Sequence, residues 1–224
     1  MKTEKIKFAD HEATIIIPDN PNGKWIWKTE FLYDFDTAER VLCEQYGYTR
    51  VYYSISNKYG SPAAVRLMHN FYLFVTEKYN LSKKCALFGF SRGGLYAFNF
   101  ALSYPEYVDK IYLDAPVLDM KSWPRAGSNE RSQVYEEFAL NEETINNYRQ
   151  NPIDNIDELL THNIPMLVVA GGADEVVPFA ENSKILIDYA AEHGYKITSI
   201  VKPECKHHPH SLEDVTPIID FIVN

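Results

Sequence analysis

The 224-residue chain carries 22 Lys and Arg against 31 Asp and Glu, a formal charge of −9, which argues against a nucleic-acid or anionic-membrane binder because both need basic surface. Hydrophobic residues make up 46% of it, enough for one sizeable core and too many for disorder, and no apolar run reaches the ~18 to 20 residues of a membrane span. Three widely spaced cysteines (Cys43, Cys85, Cys205) and a charged N-terminal stretch, MKTEKIKFADHE, suggest neither a disulfide framework nor a signal peptide, so the expectation is a cytoplasmic protein with residues 1–224 as one domain.

Short β-rich runs alternate with longer helical patterns. Lys5–Ala9 alternates polar and apolar and predicts an edge strand. Ala13–Pro18, Arg50–Ile55, Cys85–Gly89, Lys110–Asp114, Pro165–Gly171 and Ile197–Lys202 are apolar on both faces, as in a parallel sheet covered on both sides. Helices are predicted at Asp36–Tyr46, Pro62–Tyr79, Arg92–Tyr104, Phe179–His193 and Val215–Val223; Ser61 before Pro62 is a natural start for the second. Repeated strand–helix–strand units predict a three-layer α/β sandwich around a mostly parallel sheet. Residues 117–163 break the alternation with short helical patterns (Ser132–Leu140, Glu142–Gln150, Asn155–Thr161) and read as a small helical, cap-like insertion at one end of the sheet.

Chemistry concentrates in Gly89-Phe90-Ser91-Arg92-Gly93-Gly94, which follows a buried strand and opens a helix. This is G-x-S-x-G in the setting that a nucleophile elbow requires. The turn is so tight that side chains two positions either side of the serine would collide, which Gly89 and Gly93 avoid. Ser91 then projects at a helix N-terminus, where the dipole favours a developing oxyanion. A neutral hydroxyl needs a base, and the base needs an orienting acid, in the chain order Ser, acid, His. Asp174, in the turn after Pro165–Gly171, is the favoured acid, with Glu175 weaker and Asp114 and Asp119 as rivals after the preceding strand. The base falls in Lys206-His207-His208-Pro209-His210, with His207 first, His208 second and His210 third. That tract lacks the spacing that sets two ligands on one helical face, so no metal is expected there.

The three segments GFSRGG, GGADEVVP and CKHHPHSL, in that order, resemble the α/β-hydrolase superfamily over nearly the whole chain. PNGKWIWKTEF, APVLDMKSWP and HHPHSL are also loosely similar to bacterial hydrolases suspected of removing esters from carbohydrates. The resemblance implies two backbone oxyanion donors: the N–H of Arg92 and one in the loop Pro18–Trp27, where Gly23, Lys24 and Trp25 are candidates and Trp25 is favoured. The Arg92 side chain is expected either to steady an acidic substrate or to pair with an acid such as Asp114. Lys24, Tyr59, Trp123 and His208 are expected to contact substrate.

The function expected is a serine esterase, without metal or organic cofactor, acting on a small-molecule ester such as an acylated or acidic sugar. A peptidase, amidase or thioesterase with the same triad is the alternative, and a silent binding protein on the same fold is a third. Oligomeric state is not legible in the sequence.

Overall fold

The computed structural model describes residues 1–224. Two N-terminal strands, β1 (Lys2–Phe8) and β2 (His11–Ile17), form a hairpin, and β2 pairs antiparallel with β4 (Thr49–Tyr53). The remaining strands, β3 (Trp25–Lys28), β5 (Cys85–Phe90), β6 (Val108–Asp114), β7 (Met166–Gly171) and β8 (Thr198–Lys202), are parallel to β4. The eight strands lie in the order β1-β2-β4-β3-β5-β6-β7-β8, and the crossovers place helices on both faces.

Alternation along the strands builds both faces at once. Trp25, Trp27, Leu87 and Leu113 point to one side, where α2 (Pro62–Lys78), α3 (Gly93–Ser103) and α6 (Ser183–Glu192) cover them. Ile26, Phe88, Phe90, Tyr112, Leu167 and Val169 point to the other and pack on α1 (Thr37–Tyr46) and α7 (Thr216–Val223). Helix starts follow local chemistry: the Ser61 hydroxyl accepts from the Ala64 N–H at 3.1 Å, with Pro62 in the first turn. No helix is long and apolar enough to cross a membrane.

Three sequence expectations need correction. The segment expected as an oxyanion loop, Pro18–Trp27, runs into β3, a four-residue strand buried along its whole length. A strand is required there, because α1 is the crossover that carries β3 to its parallel neighbour β4. Ile197–Lys202 is not buried on both faces: β8 is the open edge of the sheet, mostly exposed. Between β6 and β7 the helices are α4 (Asn129–Phe138) and α5 (Ile156–Thr161), whereas Glu142–Gln150 yields only a 3-10 turn at Thr144–Asn147. This insertion docks on the turn before α2, where Tyr59 Oη donates to Gln133 Oε1 at 2.6 Å and Ser61 Oγ to Glu137 Oε1 at 2.5 Å.

Candidate active site

All the catalytic candidates lie at the carboxyl ends of the strands, where an open α/β sheet places its crevice. Ser91 follows β5 directly and has a left-handed backbone, φ +49°. That conformation is unfavourable for a residue with a Cβ and is held by its surroundings. The Ser91 N–H donates to Asp114 O at 2.9 Å, and its carbonyl accepts from the N–H groups of Gly94 and Val117 at 2.9 and 2.8 Å. A Cβ on Gly89 would meet Ala97 Cβ at 2.9 Å, and one on Gly93 would meet Thr29 Oγ1 at 2.8 Å.

The second contact couples the elbow to the loop after β3. Thr29 Oγ1 donates within reach of Gly93 O and Phe88 O, at 2.8 and 3.1 Å. Gly93→Ala must therefore push that loop away from Ser91. A displacement of about 1 Å in an aligned site costs on the order of 10²-fold in rate, and that fall in kcat is expected in a steady-state assay, with cooperative unfolding retained.

Asp174 follows β7 in a tight turn. Its Oδ1 accepts the Val176 and Val177 N–H groups at 2.9 and 3.0 Å, which leaves Oδ2 aimed at His207 Nδ1, 2.7 Å away. His207 Nε2 in turn lies 3.0 Å from Ser91 Oγ. The carboxylate contact makes Nδ1 the protonated nitrogen, so Nε2 keeps its lone pair for the serine hydroxyl. The loop reaches this position because Gly171 is bare: a Cβ there would sit 2.2 Å from Lys206 O and 2.4 Å from Cys205 O. All three side chains are largely buried, but Ser91 and His207 open into a cavity of about 250 Å³ lined also by Phe31, Asp34, Phe35, Phe90, His208 and His210. The larger depression, about 390 Å³ between α2, α3 and the insertion, shares no residue with it.

The rival acids have other partners. Asp114 Oδ1 lies 2.7 Å from His210 Nδ1, while its Oδ2 accepts from Tyr112 Oη and the Ser211 N–H at 2.6 and 2.7 Å. Asp119 accepts the Lys121 N–H and pairs with the Lys121 ammonium. Glu175 is exposed. His208 stacks on Phe35, ring centroids 5.6 Å apart; burial, together with His210 and His207 beside it, holds its pKa below the usual imidazole value.

Trp25 is misplaced as an oxyanion donor. It begins β3 next to the start of β5, with Ile26 paired to Ala86, so it lies about six residues, or roughly 20 Å, from the Ser91 end of the sheet. Its indole is buried and donates to Ser82 O at 2.9 Å. Lys24 lies at that same far end, over the Tyr48 ring. Tyr59 is fully buried under the insertion, and Trp123 lies against it. Of the four residues expected to contact substrate, His208 alone lines the cavity that holds Ser91.

The position that the sequence reading missed is Phe31, just past β3. It lines the cavity with φ +57°, and its N–H, like that of Arg92, donates to no protein acceptor. The Arg92 side chain turns to Glu30 rather than to Asp114: Nε and Nη2 donate to Glu30 Oε2 at 3.2 and 3.1 Å, and Ser56 Oγ adds a third bond at 3.0 Å. Burial pushes the Glu30 carboxyl up, against the pull of Arg92 and Ser56, and its Oε1 has no partner. Arg92 also covers the Phe31 ring at 5.0 Å. On its other side the loop is tied down by buried Lys28, which pairs with Glu39 at 2.5 Å and donates to Asp34 O at 2.7 Å.

The model of the prolyl oligopeptidase family matches residues 47–224, which include β5, the elbow and the His207 loop. The chain belongs to the prolyl oligopeptidase family. It is thus a hydrolase, and its sheet order is that of the α/β-hydrolase fold. No curated protein matches the sequence.

Among solved structures, this family member is similar to S-formylglutathione hydrolase FrmB from Staphylococcus aureus (TM-score 0.70, 14% identity, covering 99% of this chain and 95% of that one). It is also similar to a puromycin-hydrolyzing peptidase of Mycobacterium tuberculosis (TM-score 0.69, 14% identity, 98% and 37% covered) and to the Francisella virulence factor BioJ (TM-score 0.64, 18% identity, 99% and 82% covered). At these identities the likeness is one of fold. The chain spans little more than a third of the mycobacterial peptidase.

Proposed function

We propose that this hydrolase is a serine esterase for short acyl groups, with Ser91 as nucleophile, His207 as general base and Asp174 as the acid that orients it. The observation carrying this reading is the unbroken hydrogen-bonded line from Asp174 Oδ2 through both nitrogens of His207 to Ser91 Oγ, at 2.7 and 3.0 Å, on the wall of a small cavity. His207 Nε2 takes the Ser91 proton as Oγ attacks the carbonyl, and the carbonyl oxygen, now negative, is held by the N–H groups of Phe31 and Arg92. Collapse expels the alcohol, which takes its proton from His207. Water attacks the acyl-enzyme by the same route and releases the acid.

The size and lining of the cavity support a short acyl chain carried on a polar alcohol, of which an O-acetylated sugar is one form. Phe31, Phe35 and Phe90 give the cavity an apolar wall for an acyl chain, and Asp34 and the histidines among them add hydrogen-bonding atoms for a polar alcohol.

The same triad chemistry serves thioesters and amides, and the family name, with likeness to an S-formylglutathione hydrolase and a puromycin-hydrolyzing peptidase, keeps both in the test. Initial rates on p-nitrophenyl acetate, butyrate and octanoate, acetylated xylose, an acyl thioester and aminoacyl anilides separate them. The expected order puts acetate first and octanoate last among the esters, with anilides hardly turned over. Anilides cleaved as fast as acetate would make the enzyme a peptidase, and a preference for octanoate would contradict the small acyl site.

A further inference from the structure

The loop after β8 brings three imidazoles together at the mouth of the cavity. One ring nitrogen from each of His207, His208 and His210 lies within 4.8 Å of one from each of the others. Ligands sharing a tetrahedral zinc ion at 2.0–2.1 Å sit about 3.3 Å apart. The exposed His208 side chain, which makes no hydrogen bond to the protein, is the ring free to swing toward the other two.

Two of the rings are already built as metal ligands usually are. His207 Nδ1 is held by Asp174 and His210 Nδ1 by Asp114, each at 2.7 Å with both partners buried. A carboxylate on one ring nitrogen fixes the tautomer and presents the other nitrogen's lone pair outward. His210 is one such ring that the proposed mechanism leaves idle: its Nε2 makes no hydrogen bond, yet the residue lines the cavity. Ser91 Oγ, 3.0 Å from His207 Nε2, stands where a fourth ligand would.

The electrostatics suit a cation. Among the lining residues Asp34 carries a formal charge and no Lys or Arg is present. The two cations behind the wall are engaged elsewhere, Lys28 with Glu39 and Arg92 with Glu30. Helical-face spacing, the ground for expecting no metal in this tract, does not apply, because the three rings are gathered by a loop pinned to Asp114 and to Lys202.

We propose that His207, His208 and His210 form a zinc site that switches the hydrolase off. The inhibitory half of this rests on His207 being the general base. Three neutral imidazoles replace water on the ion, and Zn–Nε2 coordination replaces the Ser91 O–H to His207 hydrogen bond. No electron is transferred, and Ser91 loses its proton acceptor while the metal stays.

Two measurements test the site and the switch separately. In Ser91→Ala, where turnover plays no part, one equivalent of Co²⁺ is expected to give the intense visible bands of four-coordinate cobalt, and His208→Ala is expected to lose them. With wild type, micromolar Zn²⁺ is expected to stop hydrolysis of p-nitrophenyl acetate, and EDTA to restore it. His208→Ala and Asp114→Asn, each compared with its own zinc-free rate, are expected to need at least tenfold more zinc for half-inhibition, the scale on which lost ligands and supporting carboxylates weaken metal sites.

Pale six-coordinate cobalt spectra, or half-inhibition unchanged in the exposed His208→Ala variant, would overturn the site. Four-coordinate cobalt bound at these residues without zinc inhibition of the wild type would overturn the switch, whereas the role of His207 as base is decided separately by the turnover of His207→Ala.

Discussion

Ser91→Ala and His207→Ala are each expected to lower kcat by on the order of 10⁶-fold, and the double variant to be little worse than either alone. The reason is that the two residues perform one step. Without His207 Nε2 at 3.0 Å, the Ser91 hydroxyl keeps its proton and is a weak nucleophile; without Ser91, the base has no proton to accept. Residual activity over water then comes from the remaining oxyanion donors and from binding, which neither substitution touches. Ser91→Ala is conservative for folding, whereas His207→Ala leaves the buried Asp174 Oδ2 without its partner and is expected to lower stability as well. Ser91 makes its structural bonds through its backbone N–H and carbonyl, which alanine retains. The loop around His207 is held by the Asp114 contact to Ser211 N–H and by Lys202. Single-turnover kinetics on the three variants checks this, and multiplying rather than shared losses would show that Ser91 and His207 do not act as a unit.

Asp174→Asn is expected to lower kcat by about 10⁴-fold while the protein remains folded. The carboxylate has two separate duties, one on each oxygen. Oδ1 caps the turn by accepting the Val176 and Val177 N–H groups, and an asparagine oxygen can still do that. The group then facing His207 is an amide NH₂, a donor where an acceptor was. Imidazole must turn its unprotonated Nδ1 toward it, which moves the proton to Nε2 and aims a donor at Ser91. Loss of activity with an unchanged unfolding transition separates this tautomer effect from a structural one. If Asp174→Asn kept near wild-type kcat while Asp114→Asn lost it, the acid would be Asp114, acting through His210.

Ser91 and Asp174 were legible as candidates because each stands just past a strand whose burial leaves a dense apolar run, CALFGF and MLVVAG, and His207 because it follows the last strand, TSIVK. The last of these was legible as a strand but not as an edge, since its apolar content reflects packing of one face near the sheet's border. Trp25–Lys28 was missed because four residues between Gly23 and a polar stretch give no periodicity to count. Chain length held the missing clue. Reading Ala13–Pro18 straight into the helix at residue 36 leaves a long unstructured connection in a compact α/β fold, which is itself a sign of an overlooked strand. Restoring β3 moves the proposed oxyanion loop from Trp25 to Phe31, whose left-handed backbone leaves no mark in the residue type. The Arg92–Glu30 pair was equally hidden, since it depends on that same strand.

The most direct test of the triad is intact-mass spectrometry after treatment with a fluorophosphonate, run on folded wild type and Ser91→Ala. Ser91 is the proposed activated nucleophile, so wild type is expected to gain one phosphonyl adduct and to lose esterase activity in step, with the variant unlabelled. A folded wild type that takes no label, or an adduct that persists in Ser91→Ala, would contradict it.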